Sequence, residues 1–328
     1  YIMDLSTEYM GIKIKNPIIV SSSRITGEIE KIKKCADVGA GAVVLKSLFE
    51  EQLLADSETL MDQDIKYFWF PEAIEHINKH SKESGVKEML ETIKEIKDYS
   101  DIPVISSINC VTAQEWPQFA GKLEEAGADG LELNIAIFPF DINVSSHEIE
   151  DQYVNILKEV KANVSIPVSI KLTSYFSNII QITHRLDEAG VDGLVLFNRL
   201  YRPDIDIDSE TTVRKNILSG PEEVTKSLRW VALLSSKLDC SIAGATGVHD
   251  HEAVIKQILA GADAVQICST LYKNGISYID TILEGLQGWM ENKKYQSISD
   301  FKGKVCKKDE DCGPKFERIQ FIKKEFGG

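Results

Sequence analysis

The sequence predicts a single (β/α)8 barrel. Three observations carry that prediction: a phrase that recurs four times, a second strand type interleaved with it, and the lack of a dinucleotide-binding fingerprint. The phrase is Gly39-Ala40-Gly41-Ala42-Val43-Val44-Leu45-Lys46, then Gly127-Ala128-Asp129-Gly130-Leu131-Glu132-Leu133-Asn134. It returns as Gly190-Val191-Asp192-Gly193-Leu194-Val195-Leu196 and as Gly261-Ala262-Asp263-Ala264-Val265-Gln266-Ile267-Cys268. Helical patterns precede it, as at Phe119 to Ala126, Thr183 to Ala189 and Ala253 to Ala260. The glycine suits a helix C-terminus, and the apolar run after it suits a buried strand.

The second strand type is Pro17-Ile18-Ile19-Val20, Ile102-Pro103-Val104-Ile105, Ile166-Pro167-Val168-Ser169-Ile170 and Cys240-Ser241-Ile242-Ala243. Proline is tolerated at a strand's first residue because its missing N–H is not needed there. Interleaving the two sets gives strands near 17–22, 42–46, 103–108, 130–135, 167–172, 193–198, 241–245 and 263–268. Strands of buried, parallel character that alternate with helices predict the barrel. An open doubly wound sheet would carry Gly-x-Gly-x-x-Gly in its first strand-to-helix turn, and none occurs.

A length of 328 residues fits two ordinary domains or one barrel with additions. The repeats select one barrel over residues 1–304 and a tail over 305–328, where 316–322 reads as a short amphipathic helix. The surplus falls after the second and sixth strands, in residues 47–101 and 199–221. The first insertion holds Tyr67-Phe68-Trp69-Phe70-Pro71, and the second holds Tyr201-Arg202-Pro203 with Asp204, Asp206 and Asp208. Both follow strand C-terminal ends and read either as pocket walls or lids, or as surface and dimer-contact loops.

Composition narrows the function. With 37 Lys and Arg against 51 Asp and Glu, the net charge of −14 argues against a nucleic-acid or anionic-membrane surface. No apolar run reaches the length of a membrane span, and Tyr1 to Tyr9 lack the regions of a signal peptide. The six cysteines are too scattered for a disulfide framework, so a cytoplasmic location is expected. Cys306 and Cys312 have no further ligands nearby, and no metal site is expected.

Polar residues close the apolar strands at the face where barrel enzymes hold their sites. They are Lys46, Ser107 with Asn109, Asn134, Lys171 and Asn198. Small residues do the same at Ser21-Ser22-Ser23, Gly244-Ala245-Thr246-Gly247 and Cys268-Ser269-Thr270. An unpaired buried ammonium is strongly penalised, so two lysines at strand ends indicate a lined site. The Gly-Ala-Thr-Gly turn and Ser269-Thr270 form an expected anion cradle after the seventh and eighth strands.

At these residues the chain resembles the dihydroorotate dehydrogenase family of FMN-dependent barrels, most closely its soluble class, over about residues 4 to 304. The resemblance lies in Lys13 to Pro17, Lys46-Ser47, Glu132-Leu133-Asn134, Lys171-Leu172 with Tyr175-Phe176, and Asn198. It continues in Ser219-Gly220-Pro221, Gly244 to Val248, Gln266-Ile267 and Tyr295-Gln296-Ser297-Ile298-Ser299-Asp300-Phe301. Ser107-Ile108-Asn109-Cys110 and Gln266-Ile267-Cys268-Ser269 are also similar to the FMN barrel of dihydropyrimidine dehydrogenase.

The resemblance implies an oxidoreductase of pyrimidine metabolism, a homodimer, with FMN as cofactor. Ser21, Ser22 and Asn109 would line the flavin, with Lys46 near flavin and substrate. Asn134 would face both, Asn198 the substrate, and Lys171 the flavin N1–C2=O edge, where cationic charge favours the reduced, anionic ring. Gly220, Thr246, Gly247, Cys268 and Ser269 would hold the ribityl phosphate.

The sequence departs from the family at the base. The family follows Leu-Asn with Leu-Ser-Cys-Pro-Asn, with Ser for Cys in the membrane class. Here the run is Leu133-Asn134-Ile135-Ala136-Ile137-Phe138-Pro139, so Ile137 occupies the base position and Pro139 that of the later Asn. The family's Asn-Ser-Met-Gly-Leu-Pro-Asn loop is replaced by the insert around Tyr67 to Phe70, and Arg199 stands where the soluble class has Ser. Substitute groups are Cys110, alternatively a small buried hydrophobe, and Asp141 or His147, alternatively solvated loop residues. Arg199 and Arg202 read as carboxylate clamps or as local ion-pair partners, and Tyr175 as a proton donor or a packing ring.

Three readings follow: an FMN oxidoreductase on a dihydroorotate-like molecule, dihydroorotate oxidation by an unrecognised base, or an FMN-binding protein without catalysis. No nicotinamide fingerprint or iron–sulfur ligand set occurs, so direct exchange with NADH would need a partner chain.

Overall fold

The structure is a computed structural model that describes residues 3–49, 82–110, 116–135, 137, 141–200, 203–214 and 217–307. The aromatic cluster at 67–71, residues 201 and 202, and the amphipathic segment at 316–322 lie outside the described residues. The barrel strands, in chain order, are Ile18–Val20, Ala42–Val44, Val104–Cys110, Gly130–Ile135, Val168–Leu172, Gly193–Leu196, Ser241–Ala245 and Ala264–Ile267. Each pairs in parallel with its chain neighbours. The ring closes where Val265 pairs with Ile18, Val20 with Val43, and Val43 with Val104. The (β/α)8 barrel read from the repeats is therefore the fold.

Tertiary contacts explain the repeats. In three copies the phrase's aspartate caps the N-terminal end of the barrel. Asp129 Oδ2 accepts from Val104 N at 2.7 Å, Asp192 Oδ2 from Val168 N at 2.7 Å, and Asp263 Oδ2 from Ile242 N at 2.8 Å. Each thus satisfies an N–H in the first two residues of an adjacent strand, a donor that burial would otherwise leave unpaired. A lysine closes each unit from outside: Lys97 on Asp129 at 2.9 Å, Lys161 on Asp192 at 2.6 Å, and Lys302 on Asp263. The first copy has Gly41 in place of the aspartate, and a Cβ there would lie 2.1 Å from the Asn16 carbonyl oxygen. Asn16 takes over the role, accepting from Ile18 N at 3.1 Å and donating to Gly39 O at 2.6 Å.

The prolines stand one residue ahead of the strands, and their carbonyls join the ladders. Pro17, Pro103 and Pro167 accept from Val265, Val43 and Leu131 at 2.8, 3.0 and 2.9 Å. Proline forfeits a donor but keeps its acceptor, so these positions suit it.

An N-terminal hairpin, Thr7–Tyr9 with Ile12–Ile14, is absent from the sequence reading. Its residues Tyr9, Met10 and Ile14 pack with Ile19, Ala42, Val44, Ile105, Val195, Ala243, Ala245 and Ala264 in a core inside the barrel, separate from the larger core beneath the helices. The hairpin fills one end of the ring. Gly193 makes room for it: a Cβ there would meet Met10 Cγ at 2.7 Å. The other end carries the insertions. After the second strand, Leu48–Phe49 pairs with the third strand, and the helix Lys82–Tyr99 follows in the described chain. After the sixth strand, the segment read as a polar loop forms an antiparallel hairpin of Pro203–Asp206 and Thr211–Arg214. Among the described residues, no helix is long and apolar enough to cross a membrane.

Candidate active site

The polar strand ends converge because alternate residues of a strand face the same side, here the barrel interior. Inside the ring, a polar layer lies above the dry hairpin core. Lys171 is 7% exposed, and its ammonium donates to Ser21 Oγ at 2.8 Å and Gln266 Oε1 at 2.9 Å. Ser21 in turn donates to Gln266 Oε1 at 3.0 Å. Gln266 Nε2 donates to Glu132 Oε2, and Glu132, fully buried, presents Oε1 to the Lys171 ammonium at 3.7 Å. First, fourth, fifth and eighth strands are thereby joined through one ion pair. A buried charge persists only when paired, and each of these two is the other's counter-ion. Below them, burial and the Glu132 carboxylate push the Tyr9 phenol well above its ordinary range, so it stays neutral.

A chain of hydroxyls crosses the first three strand ends. Ser22 Oγ and Ser47 Oγ are 3.1 Å apart, and Ser47 Oγ and Ser107 Oγ are 2.7 Å apart. Beyond Ser107, Asn109 is 2% exposed and its Nδ2 donates to nothing among the described residues. Asn198 Nδ2 donates to Asn134 Oδ1 at 2.9 Å. Lys46 is half-buried at the end of the second strand, and its aliphatic stem passes close to Gly27, where a Cβ would meet Lys46 Cδ at 2.8 Å.

The expected anion cradle is knit together from four segments. Ser219 N donates to Ser269 Oγ at 2.9 Å, and Ser219 Oγ lies 3.1 Å from His249 Nε2. Lys273 Nζ donates to Ser219 O at 2.8 Å, and Thr246 Oγ1 donates to Phe197 O at 2.9 Å. Burial and the neighbouring Lys273 hold the His249 imidazole below its usual range. Gly247 has a φ of +78°, and a Cβ would stand 2.1 Å from Val224 N, so only glycine fits between the turn and the start of the preceding helix, Val224–Leu234. Thr246 and Gly247 close the seventh strand, and Cys268 precedes the six-residue helix Ser269–Asn274 after the eighth. At Gly220 the N–H donates to Glu223 Oε1 at 3.0 Å. Glu223 also accepts from Arg199 Nε at 3.1 Å, and Arg199 donates to Ile217 O at 2.9 Å. Arg199 thus clasps both stalks of the second insertion.

His147 and Asp141 are not gathered with these residues. His147 is 70% exposed on the helix Ser146–Lys161 and faces Asp151 at 3.7 Å. Asp141 is exposed and accepts from Asn143 N at 2.9 Å. Ile137 is half-buried and packs against the outer core. The Cys110 side chain lies outside the described residues, although its backbone ends the third strand. Tyr175 is largely exposed, with the Lys226 ammonium 5.8 Å from its ring centre.

Glu132, Gln266, Ser47, His249 and Glu223 received no role from the sequence. Strand alternation is the signal that finds two of them: Glu132 lies two residues before Asn134, and Gln266 two before Cys268.

Fold and rim together define a (β/α)8 barrel with a polar, partly ionised site at the C-terminal ends of its strands. Residues 4–290 match the sequence profile described as dihydroorotate dehydrogenase. The chain is 30% identical over 316 residues to the catalytic subunit of dihydroorotate dehydrogenase B (NAD(+)) of Thermoplasma volcanium, covering 93% of this chain and 99% of that one. The corresponding subunit of Methanocaldococcus jannaschii is 31% identical over 298 residues, covering 88% and 94%. NAD-dependent dihydropyrimidine dehydrogenase subunit PreA of Escherichia coli K12 is 24% identical over 321 residues, covering 92% and 76%. The chain belongs to the dihydroorotate dehydrogenase family, and it is a dehydrogenase.

Proposed function

We propose that this protein is an FMN-dependent dehydrogenase that exchanges a hydride with a dihydroorotate-like small molecule, acting on a CH–CH bond. The observation that carries the proposal is a set of buried donors with no acceptor among the described residues. An ammonium has three N–H groups. Two of those on Lys171 are used, and the third has no acceptor among the described residues. The buried Nδ2 of Asn109 is likewise unspent. Buried donors cost free energy unless a ligand accepts from them, and the carbonyl-rich edge of a flavin is such a ligand.

In this reading Ser21, Ser22, Asn109, Asn134 and Lys171 bind the ring, and Lys46 lies between ring and substrate. Gly220, Thr246, Gly247, Cys268 and Ser269 surround the phosphate. Gly220 contributes its missing side chain rather than its N–H, because Glu223 already takes that donor. When bound, FMN supplies the hydride-accepting centre. Asn134 and Asn198 orient the substrate over it. Two relatives carry NAD(+) in their names, and we assign electron exchange with NAD(+) here to a partner chain. A homodimer and a cytoplasmic location belong to the same proposal.

One observation favours a second reading, an FMN-binding protein that has lost the family reaction. Ile137, at the family's base position, is a hydrocarbon packed on the core, and general-base catalysis is commonly worth about 10²- to 10⁴-fold. One experiment separates the readings. The purified protein is denatured to release flavin, and the holoprotein is mixed anaerobically with dihydroorotate and with dihydropyrimidines. Bleaching of the visible flavin band supports the dehydrogenase. Bound FMN that no donor reduces supports the second reading, and an absence of flavin even after incubation with FMN rejects both.

A further inference from the structure

We propose that Glu132 is a positioning residue that sets how strongly Lys171 favours reduced over oxidised cofactor. The proposal rests on the FMN reading above. Its basis is the geometry of one buried pair. Glu132 is fully buried on the fourth strand, and among the described residues only its Oε2 accepts a hydrogen bond, from Gln266 Nε2. Oε1 has no donor at hydrogen-bond distance among the described residues, yet it lies 3.7 Å from the Lys171 ammonium. Ser21 and Gln266 hold that ammonium by two of its protons. The lysine is therefore fixed from one side by acceptors and a carboxylate, and its remaining proton is left for a ligand.

This arrangement has an electrostatic consequence. Two-electron reduction with uptake of one proton leaves FMN with one more negative charge on its ring. An ammonium beside the ring favours that product, and a carboxylate behind the ammonium opposes it. Under the pair lie Ile19, Val44, Ile105 and Val195, which supply no water to screen either charge. Glu132 therefore does two opposed things: it holds Lys171 in place through Gln266, and it cancels part of the charge that Lys171 offers. Glu132→Gln keeps the size and the Gln266 contact but removes the carboxylate charge.

The test compares holoprotein of the wild type and E132Q by anaerobic dithionite titration against a reference dye, with the Kd for oxidised FMN measured separately. The expected result is that E132Q binds reduced FMN about tenfold or more tightly relative to oxidised FMN, a rise of about 30 mV for a two-electron couple. An unchanged or lower potential in E132Q, with FMN bound, overturns the proposal and leaves Glu132 a structural residue. If the wild type itself binds no FMN, the functional reading fails instead, which is a separate outcome. If E132Q does not fold, Glu132→Asp withdraws the charge from Lys171 and is expected to shift the potential the same way by less. No shift there overturns the proposal equally.

Discussion

The side-chain amide of Asn198 donates to Asn134 Oδ1 at 2.9 Å, joining the ends of the sixth and fourth strands across the end of the fifth. Neither asparagine is held this way by its own strand. The bond presents the remaining amide groups of both residues at the mouth of the barrel, each with donor and acceptor capacity left over.

Asn198→Leu is expected to lower kcat/KM for the flavin-reducing substrate roughly ten- to a hundredfold, because it removes one substrate-orienting amide and frees Asn134 to turn, and small misplacements of the reacting groups cost about that much. The Kd for FMN should move much less. Steady-state kinetics beside FMN titration check this, and an equal loss in both would assign Asn198 to cofactor binding.

Lys171→Met leaves Glu132 buried without its counter-ion and should destabilise the fold by about 3–5 kcal/mol. The double variant K171M/E132Q should recover a large part of that loss, since the two residues share one network. Urea unfolding of the four proteins of the cycle measures the coupling. Additive losses would show that the charges do not interact.

At the opposite end of the barrel, Asp192→Ala should cost about 1–3 kcal/mol by orphaning Val168 N. Lys161→Met should cost less, roughly 0–1 kcal/mol, because the Lys161–Asp192 pair is about one-third exposed on each side. Thermal unfolding at low and high salt distinguishes the two: high salt is expected to remove most of the lysine effect but only the smaller, ion-pair part of the aspartate effect.

Gly193→Ala pushes a methyl group against Met10 and should destabilise by about 1–3 kcal/mol. Combined with Met10→Ala the penalty should be less than additive, as the hairpin then has room to settle. A full additive loss would mean that the hairpin does not press on the sixth strand.

His249 gives a pH dependence of stability. Its folded pKa is lowered by burial and by Lys273, so the unfolded chain protonates first as pH falls. The unfolded state then binds more protons, and stability is lost from about pH 6.5 downward until the folded imidazole titrates. Unfolding curves across that window should be flatter for His249→Gln than for the wild type. Parallel curves would remove His249 from the account.

Much of the barrel was legible in the sequence because its signals are local. A glycine that ends a helix, a run of buried apolar residues and a strand-opening proline each act within a few residues, and a fourfold repeat multiplies the signal. The polar strand ends Lys46, Asn109, Asn134, Lys171 and Asn198 were legible for the same reason. The 7–14 hairpin was not, since its short strands acquire their core only from the barrel that closes around them. The 203–214 hairpin hid its alternation because it runs against expectation, with Ile205 exposed and Asp204 and Asp206 half-buried.

Residue type and spacing thus determined the number of strands, their order and which polar groups end them, because these depend on periodicity and backbone chemistry along the chain. Only the tertiary structure decided which partners those groups take. It placed Glu132 behind Lys171, gave Gly220 N–H to Glu223, tied Arg199 across the base of an insertion and turned His147 outward. In the polar layer such pairings join residues as far as 245 positions apart, as between Ser21 and Gln266. They are fixed when ring closure makes buried polar groups satisfy one another, a condition that no local segment of the sequence contains.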